Sequence, residues 1–333
     1  MQRRGELTPM KELFRLRVRD IAKASGEPLP DSSLVVTRAS SLHDIHKNSV
    51  LFVRKLTEHN MASVRSASDC LILVPDDTPA SLVDTIRSRN VVAQVPNPRL
   101  SYAKVMTAAL QTVSVQRQYI NRNGAFIADD AIIGEGTVIE PGVFVDHSVV
   151  IGSNVRVHAG AVIRSFSEIG DNTIIRENAV IGSEGFGFER DVDATPIRLP
   201  HLGGVRIGRN VEIGVFTAVC AGTIDPTVIE DDVKVDNLVH IAHNCVVEKG
   251  AMVIACAELS GSVKVGQRSW VGPNASVIES KRIGDGATVG IAAVVIRDVE
   301  PGAIVAGNPA KPTAEITKVN RAIARLVAEE DER

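Results

Sequence analysis

Residues 235–265 read VDNLVHIAHNCVVEKGAMVIACAELSGSVKV, and every sixth residue is aliphatic: Val235, Ile241, Val247, Val253, Leu259 and Val265. The column begins at Ile229 and continues through Val271, Val277, Ile283, Val289 and Val295 without a miss. An earlier run has the same period: Ile127, Ile133, Ile139, Val145, Ile151, Val157, Ile163, Ile169, Ile175 and Ile181. It breaks at Gly185-Phe186-Gly187-Phe188, returns at Ile207, Ile213 and Val219, and slips by two residues before Ile229. A helix repeats its inner face at about 3.6 residues and a strand at about 2, so a period of six fits neither. It fits a β-solenoid of short strands and corners, each step contributing one inward aliphatic side chain. Three steps to a triangular coil give about 18 residues per coil, stacked at roughly 4.8 Å, so the second run makes about four coils and roughly 19 Å of prism. The composition agrees: 44% hydrophobic but 3% aromatic, with 26 Gly for corners where φ > 0 is convenient.

Length and charge bound the rest. A chain of 333 residues has room for two domains. The net charge of −3 gives no nucleic-acid footprint. No apolar window of about 20 residues predicts a membrane span, and Arg3, Arg4, Lys11, Arg15, Arg17 and Arg19 are followed by no signal-peptide core. Cys70, Cys220, Cys245 and Cys256 have neither zinc-site nor disulfide-framework spacing. A cytoplasmic setting is expected.

Three parts are expected: an α/β domain over 1–120, the prism over 121–312 and a C-terminal helix over 313–333. In the first, Lys11–Ala24 has helical periodicity, and residues 33–37, 50–53, 70–75 and 91–95 read as strands. Pro79 opens a helix as its first residue, Pro96-Asn97-Pro98 is a turn, and Ser101–Val113 is a helix. In the last, Ile316, Val319, Ile323 and Leu326 repeat at helical spacing.

A prism alone does not fix function: such folds serve as ice-binding surfaces, metal-dependent anhydrases, scaffolds and acyltransferases. The discriminating residues lie off the inward column. With Ile241 inside, His243 faces outward near a corner. Asp236 lies seven residues upstream, close enough through a corner to orient an imidazole. Gly261 is one coil of 18 residues beyond His243 and stacks over it. A base with a bare backbone N–H one coil away is what acyl transfer needs: one removes the proton, the other stabilises the oxyanion. A metal role is not indicated, because zinc wants about three His-type ligands and nothing places a third with His240 and His243.

At this point the chain resembles a known family. Gly182-Ser183-Glu184-Gly185-Phe186-Gly187-Phe188, then Leu202-Gly203-Gly204-Val205-Arg206-Ile207-Gly208, then Val235-Asp236-Asn237 with Ile241-Ala242-His243-Asn244, look like the UDP-3-O-acylglucosamine N-acyltransferases of the lipid A pathway. Asn97-Pro98-Arg99-Leu100-Ser101-Tyr102-Ala103 extends the likeness to the end of the N-terminal domain. The resemblance implies a mainly β fold, a left-handed parallel β-helix preceded by a nucleotide- and sugar-recognition domain. It also implies a homotrimer with active sites in clefts between subunits. His243 would be the general base on the sugar amine, Asp236 its helper and Gly261 the oxyanion donor. Phe52, Asn237, His240, Phe186, Phe188 and Ser280 are candidate substrate contacts, although Phe52 also suits a core position and His240 a plain surface one. No cofactor or metal is expected; the co-substrate is an acyl thioester of phosphopantetheine, carried by acyl carrier protein.

The departures matter. Ser280 stands where the family usually has a second active-site histidine. After Phe52 this chain has Arg54-Lys55-Leu56-Thr57-Glu58 in place of the family's Asn-Pro-Lys-Tyr, which helps to hold uracil. The closing Ala306-Gly307-Asn308-Pro309-Ala310-Lys311 looks more like the acetyl-CoA-dependent hexapeptide enzymes. Lys264, Lys281, Arg282 and Lys311 are the candidate donor contacts, for coenzyme A phosphates or for an acidic carrier protein. Three readings follow: an N-acyltransferase of a nucleotide-linked amino sugar, an acetyl-CoA-dependent N-acetyltransferase of such a sugar, and a non-catalytic paralogue or scaffold.

Overall fold

The computed structural model describes residues 13–113 and 118–331. They form two compact units. One holds the described residues up to 113 with Phe186–Gly203 and Thr223–Asp225; the other holds 118–185, Gly204–Gly222 and the chain from Pro226 on.

The second unit is the prism, a left-handed parallel β-helix of three sheets. The first sheet carries His240–Ile241, Glu258–Leu259 and Ser276–Val277; the second carries Val246–Val247, Lys264–Val265 and Arg282–Ile283; the third carries Lys234–Val235, Met252–Val253 and Trp270–Val271. Regular partners stand 18 residues apart, as Val246, Lys264 and Arg282 do. The break and slip in the column mark Phe186–Gly203 and Thr223–Asp225, which leave the prism for the other unit.

Each six-residue step buries two side chains, not one. Ile241, Val247, Val253, Leu259 and Val265 are fully buried, and so are the residues two before the column: Cys245, Ala251 and Val263, with Val239 and Ala257 nearly so. The second column draws on Ala, Cys, Ser, Thr and Val, smaller on average than the Ile, Val and Leu of the first. The corners also differ from expectation. The left-handed residue falls three after each column residue, at Leu238, Asn244, Cys256, Ser262, Arg268, Asn274, Ser280 and Ala292, with glycine only at some turns such as Gly250. Asn tolerates αL, and the other corner residues are held there by the coil's own backbone hydrogen bonds. Glycine is instead demanded just after the column, where the next coil passes: a Cβ on Gly214 would lie 2.3 Å from the Asp236 carbonyl carbon.

At each end of the solenoid an antiparallel strand covers the edge of one of the three sheets. Tyr119–Arg122 folds back on Ala125–Ala128 at one end, and Lys311–Pro312 covers Ile304–Ala306 at the other. The helix Thr313–Asp331 follows, with Val319, Ile323 and Val327 exposed; residues 332–333 of the expected helix lie outside the described residues.

The first unit is a four-stranded parallel sheet in chain order, Arg38–Ala39, Ser49–Phe52, Leu71–Pro75 and Val91–Val95. Leu71 and Leu73 join one core and Ile72 and Val74 another, so the sheet is covered on both faces. The first helix is Val18–Ser25, after a short strand Leu16–Arg17; residues 11–12 of the expected helix lie outside the described ones. Pro79 is an N-cap rather than a first helical residue, preceding Ala80–Arg87. Asn97 is likewise a cap: its side chain accepts from Arg99 and Leu100 N–H and starts Pro98–Gln111 three residues earlier than expected. The helix Glu58–Ser66 was missed; its signal is the reciprocal Thr57–Asn60 capping box. Among the described residues no helix is long and apolar enough to cross a membrane.

If the bore carries the stability of the prism, Ile241→Ala costs about 2–5 kcal/mol, the range for large-to-small changes in a closed core. A lowered urea midpoint at unchanged slope is the expected result; an unchanged midpoint contradicts it.

Candidate active site

The corners are where the chain offers chemistry, because strand residues are divided between the bore and a flat outer face. After His240–Ile241 the chain turns through Ala242, His243 and Asn244. His243 is half-buried, and its Nδ1 lies 3.1 Å from Asn244 Oδ1. In the tautomer whose Nδ1–H donates to that amide oxygen, the lone pair lies on Nε2. Asn244 is fixed in turn, its φ at 60° and its N–H donating to Thr227 Oγ1 at 2.9 Å.

Gly261 stands one coil on. A Cβ built there would lie 2.7 Å from His243 Cε1 and 2.9 Å from Nε2, so the imidazole occupies the space a side chain would need. Among the described residues the Gly261 N–H meets no acceptor, while its carbonyl accepts from Ser280 N–H at 2.9 Å. A basic nitrogen and an unused backbone donor therefore share one corner.

Other expected contacts are placed as follows. Asp236 lies at the preceding corner of the same coil, its carboxylate accepting from Asn237 N–H at 2.7 Å and Ala255 N–H at 3.2 Å. Asn237 Oδ1 accepts from Val215 N–H at 2.8 Å, which ties two coils together. His240 is exposed on the outer face, next to Glu258 in register. Ser280 is exposed in a left-handed corner two coils beyond Asn244.

Lys264 and Arg282 are exposed register partners on the second sheet. Lys281 is half-buried, in the small-residue column whose equivalents Cys245 and Val263 are buried. Lys311 is apart from them, on a strand of the third sheet.

Phe52, Phe186 and Phe188 belong to the first unit. Phe52 packs against its core with the Tyr102 ring 4.9 Å away. Phe186 is 89% exposed, and Phe188, 4.9 Å from it, carries the Arg198 guanidinium 4.5 Å above its ring. The same unit has a cavity of about 930 Å³ at the carboxyl ends of its parallel strands. Arg54, Lys55, Asp76, Asp77 and the paired Arg99 and Glu189 line it, and the capped helix starts at Thr57 and Asn97 adjoin it. Sequence reading missed this cavity; three short strand-to-helix turns in a row are its signal.

Two further features bear on chemistry. Burial pushes the Cys245 thiol up to about 12 and raises Cys220 as well, so both stay protonated at neutral pH and neither is a nucleophile. His147 stands at the corner equivalent to that of His243, four coils earlier, with Nδ1 2.9 Å from Asp130 Oδ1 and 3.7 Å from Asp129 Oδ1. Sequence reading missed this cluster, although the sixfold register places it.

With this geometry in hand, the comparisons carry weight. The bacterial transferase hexapeptide (six repeats) family matches residues 148–183. UDP-3-O-acylglucosamine N-acyltransferase of Delftia acidovorans is 39% identical over 127 residues, 38% of this chain and 38% of that one. Its namesake from Methylobacterium sp. (strain 4-46) is 35% identical over 150 residues, 45% and 42%. UDP-3-O-acylglucosamine N-acyltransferase 2 of Legionella pneumophila (strain Paris) is 38% identical over 130 residues, 39% and 38%. The chain thus spans about two fifths of the length of these relatives. Among solved structures, the UDP-N-acetylglucosamine acyltransferase from Campylobacter jejuni superposes with a TM-score of 0.52 at 28% identity, over 57% of this chain and 73% of that one. The acyltransferase from Bacteroides fragilis 9343 shares the fold, with a TM-score of 0.53 at 24% identity over 58% and 73%.

If the hexapeptide corner is packed as described, Gly261→Ala must displace the imidazole. The His243 ring signals in an NMR spectrum should shift while the far-UV circular dichroism stays unchanged; unmoved ring signals contradict the stacking.

Proposed function

We propose that this protein is an N-acyltransferase acting on the amino group of a nucleotide-linked amino sugar in a lipid A type pathway. The observation that carries the reading is the His243–Gly261 corner: a lone-pair nitrogen and an unused backbone N–H one coil apart. The curated relatives are named for this transfer.

In the proposed reaction the sugar amine attacks the thioester carbonyl carbon. Its proton passes to His243 Nε2, while the Gly261 N–H faces the developing oxyanion. Collapse breaks the C–S bond, and the imidazolium returns the proton to the departing pantetheine sulfur. Atoms and charge balance without metal or redox chemistry. Asp236 assists by stabilising the imidazolium. The donor is an acyl chain on acyl carrier protein, met by Lys264 and Arg282 through steering that salt weakens. The cavity of the first unit, with Arg54 and Lys55 beside helix starts, is suited to the phosphates of a nucleotide. The assembly is a homotrimer in the cytoplasm.

One observation favours a second reading. The closing segment ending at Lys311, a cationic strand distinct from Lys264 and Arg282, suits an acetyl-CoA-dependent enzyme on the same sugar class.

Turnover with hydroxyacyl carrier protein tests the first reading. His243→Ala should lower it roughly 10²–10⁴-fold with the fold intact, and Lys264→Ala with Arg282→Ala should raise the donor KM. Turnover with acetyl-CoA alone supports the second reading, and a fully active His243→Ala enzyme removes the general base. Light scattering should give a trimer; a monomer at micromolar concentration removes the shared cleft.

A further inference from the structure

The cavity of the first unit is bounded by three loops at the carboxyl ends of adjacent parallel strands. Arg54 and Lys55 follow Ser49–Phe52, Asp76 and Asp77 follow Leu71–Pro75, and residues 96–99 follow Val91–Val95. Two cations and two carboxylates thus stand on neighbouring strand ends, and the strands are roughly 4.8 Å apart. All four side chains are exposed, and among the described residues none of them forms an ion pair or a hydrogen bond. The one ion pair in the wall, Arg99 with Glu189, closes the side beyond Val91–Val95. Opposite charges that face one space without pairing are groups left over for a ligand.

What the wall lacks narrows the choice of ligand. No aromatic ring lines the cavity. Phe52, at the end of its strand, packs into the core against Tyr102 instead. Pro75, Pro79, Pro96 and Pro98 put four residues without an N–H into the wall. Asn97 is the one lining residue with a side-chain amide, and its oxygen is committed to the N–H groups of Arg99 and Leu100. A base is told from other bases by hydrogen bonds along its edge, whereas stacking tolerates any of them. Here the donors for such an edge are missing. The groups that remain suit other chemistry. Arg54 and Lys55 match phosphate oxygens. Asp76 and Asp77 match a vicinal diol, whose O–H groups donate to carboxylate oxygens. Ribosyl diphosphate carries both, and every ribonucleoside diphosphate contains it.

We infer that this cavity grips the ribose and diphosphate of the nucleotide-linked sugar and leaves its base unread. Arg54 and Lys55 take the phosphates, and Asp76 and Asp77 take the ribose diol. The protein therefore accepts ribonucleoside carriers without regard to base. This departs from the family that the sequence resembles, in which the stretch equivalent to Arg54-Lys55-Leu56-Thr57-Glu58 helps to hold uracil. It rests on the reading of the substrate as a nucleotide-linked sugar, but binding tests it without turnover.

The full chain is titrated calorimetrically with UDP, CDP, ADP and GDP. Their dissociation constants should agree within about fivefold, and uridine should give no binding heat at concentrations where UDP saturates. A wider spread, binding of uridine, or no binding by any of the four overturns the inference. This arm uses the wild-type chain and needs no variant. Arg54→Ala combined with Lys55→Ala should weaken all four by a similar factor, roughly tenfold or more, because bonds to charged groups are lost. Unchanged affinity would put the ligand elsewhere and overturn the assignment.

The diol is tested with dUDP, which lacks one of the two hydroxyls. It should bind roughly tenfold more weakly than UDP, and the gap should vanish when Asp76→Ala is combined with Asp77→Ala. Equal affinity in the wild type, or a gap that survives in the variant, removes the carboxylates from the site. The far-UV circular dichroism of both double variants should match the wild type. Turnover separates this inference from the proposed function. A chain that binds all four diphosphates alike but transfers no acyl group keeps the cavity's assignment and loses the function. One that acylates a UDP-linked amino sugar while CDP, ADP and GDP fail to bind keeps the function and loses the unread base.

Discussion

Stacking of coils at the spacing of hydrogen-bonded strands is the constraint from which the prism follows. Each coil must pass within van der Waals contact of the one before it, so the bore has a fixed width and admits two inward side chains per step. Ile241 and Val247 fill one column, Val239 and Cys245 the other. The same closeness sets the corners, where Gly214 carries no side chain because the Asp236 backbone passes over it. A chain built this way has little room for aromatic rings in its core, and Tyr102, the largest fully buried side chain, belongs to the other unit.

That regularity also explains why the chemistry sits at corners. Strand residues alternate between the bore and a flat sheet, and neither can enclose a reacting group. A corner turns side chains and backbone N–H groups outward together, with the next coil supplying neighbours at a fixed distance. His243 and Gly261 meet for this reason, and so do His147 and Asp130 four coils earlier. Cys245, in the second inward column, shows the opposite environment: burial holds its thiol neutral.

The sixfold column made the prism, its coil length and the His243–Gly261 stack legible from sequence, because each depends on register alone. The second column was harder to see, since Val, Ala, Cys, Ser and Lys in one row lack a shared hydropathy. Corner conformation was misjudged for a physical reason: Asn244, Ser262 and Ser280 take the left-handed turns, while much of the glycine serves close approach. Around Asn97 the two prolines read as a plain turn, and the capping side chain between them was overlooked. The cavity lined by Arg54 and Lys55 depends on three strand-to-helix turns meeting; the turns are legible one by one, but their meeting is a property of the parallel sheet. Asp236 was read as near His243 because seven residues is a short stretch of chain, yet those residues cross a whole face.

The two antiparallel strands that close the solenoid have a consequence for how the molecule behaves in a crowded solution. A parallel β-helix ends in a bare rung of unpaired N–H and C=O groups, the same template on which fibrils grow, and copies of one sequence match it rung for rung. Tyr119–Arg122 runs against the direction of the next coil at one end. At the other, Lys311–Pro312 offers a charge and a residue with no N–H. End-to-end addition on these two sheets therefore meets a strand of the wrong polarity at one pole and, at the other, an antiparallel strand with a missing donor.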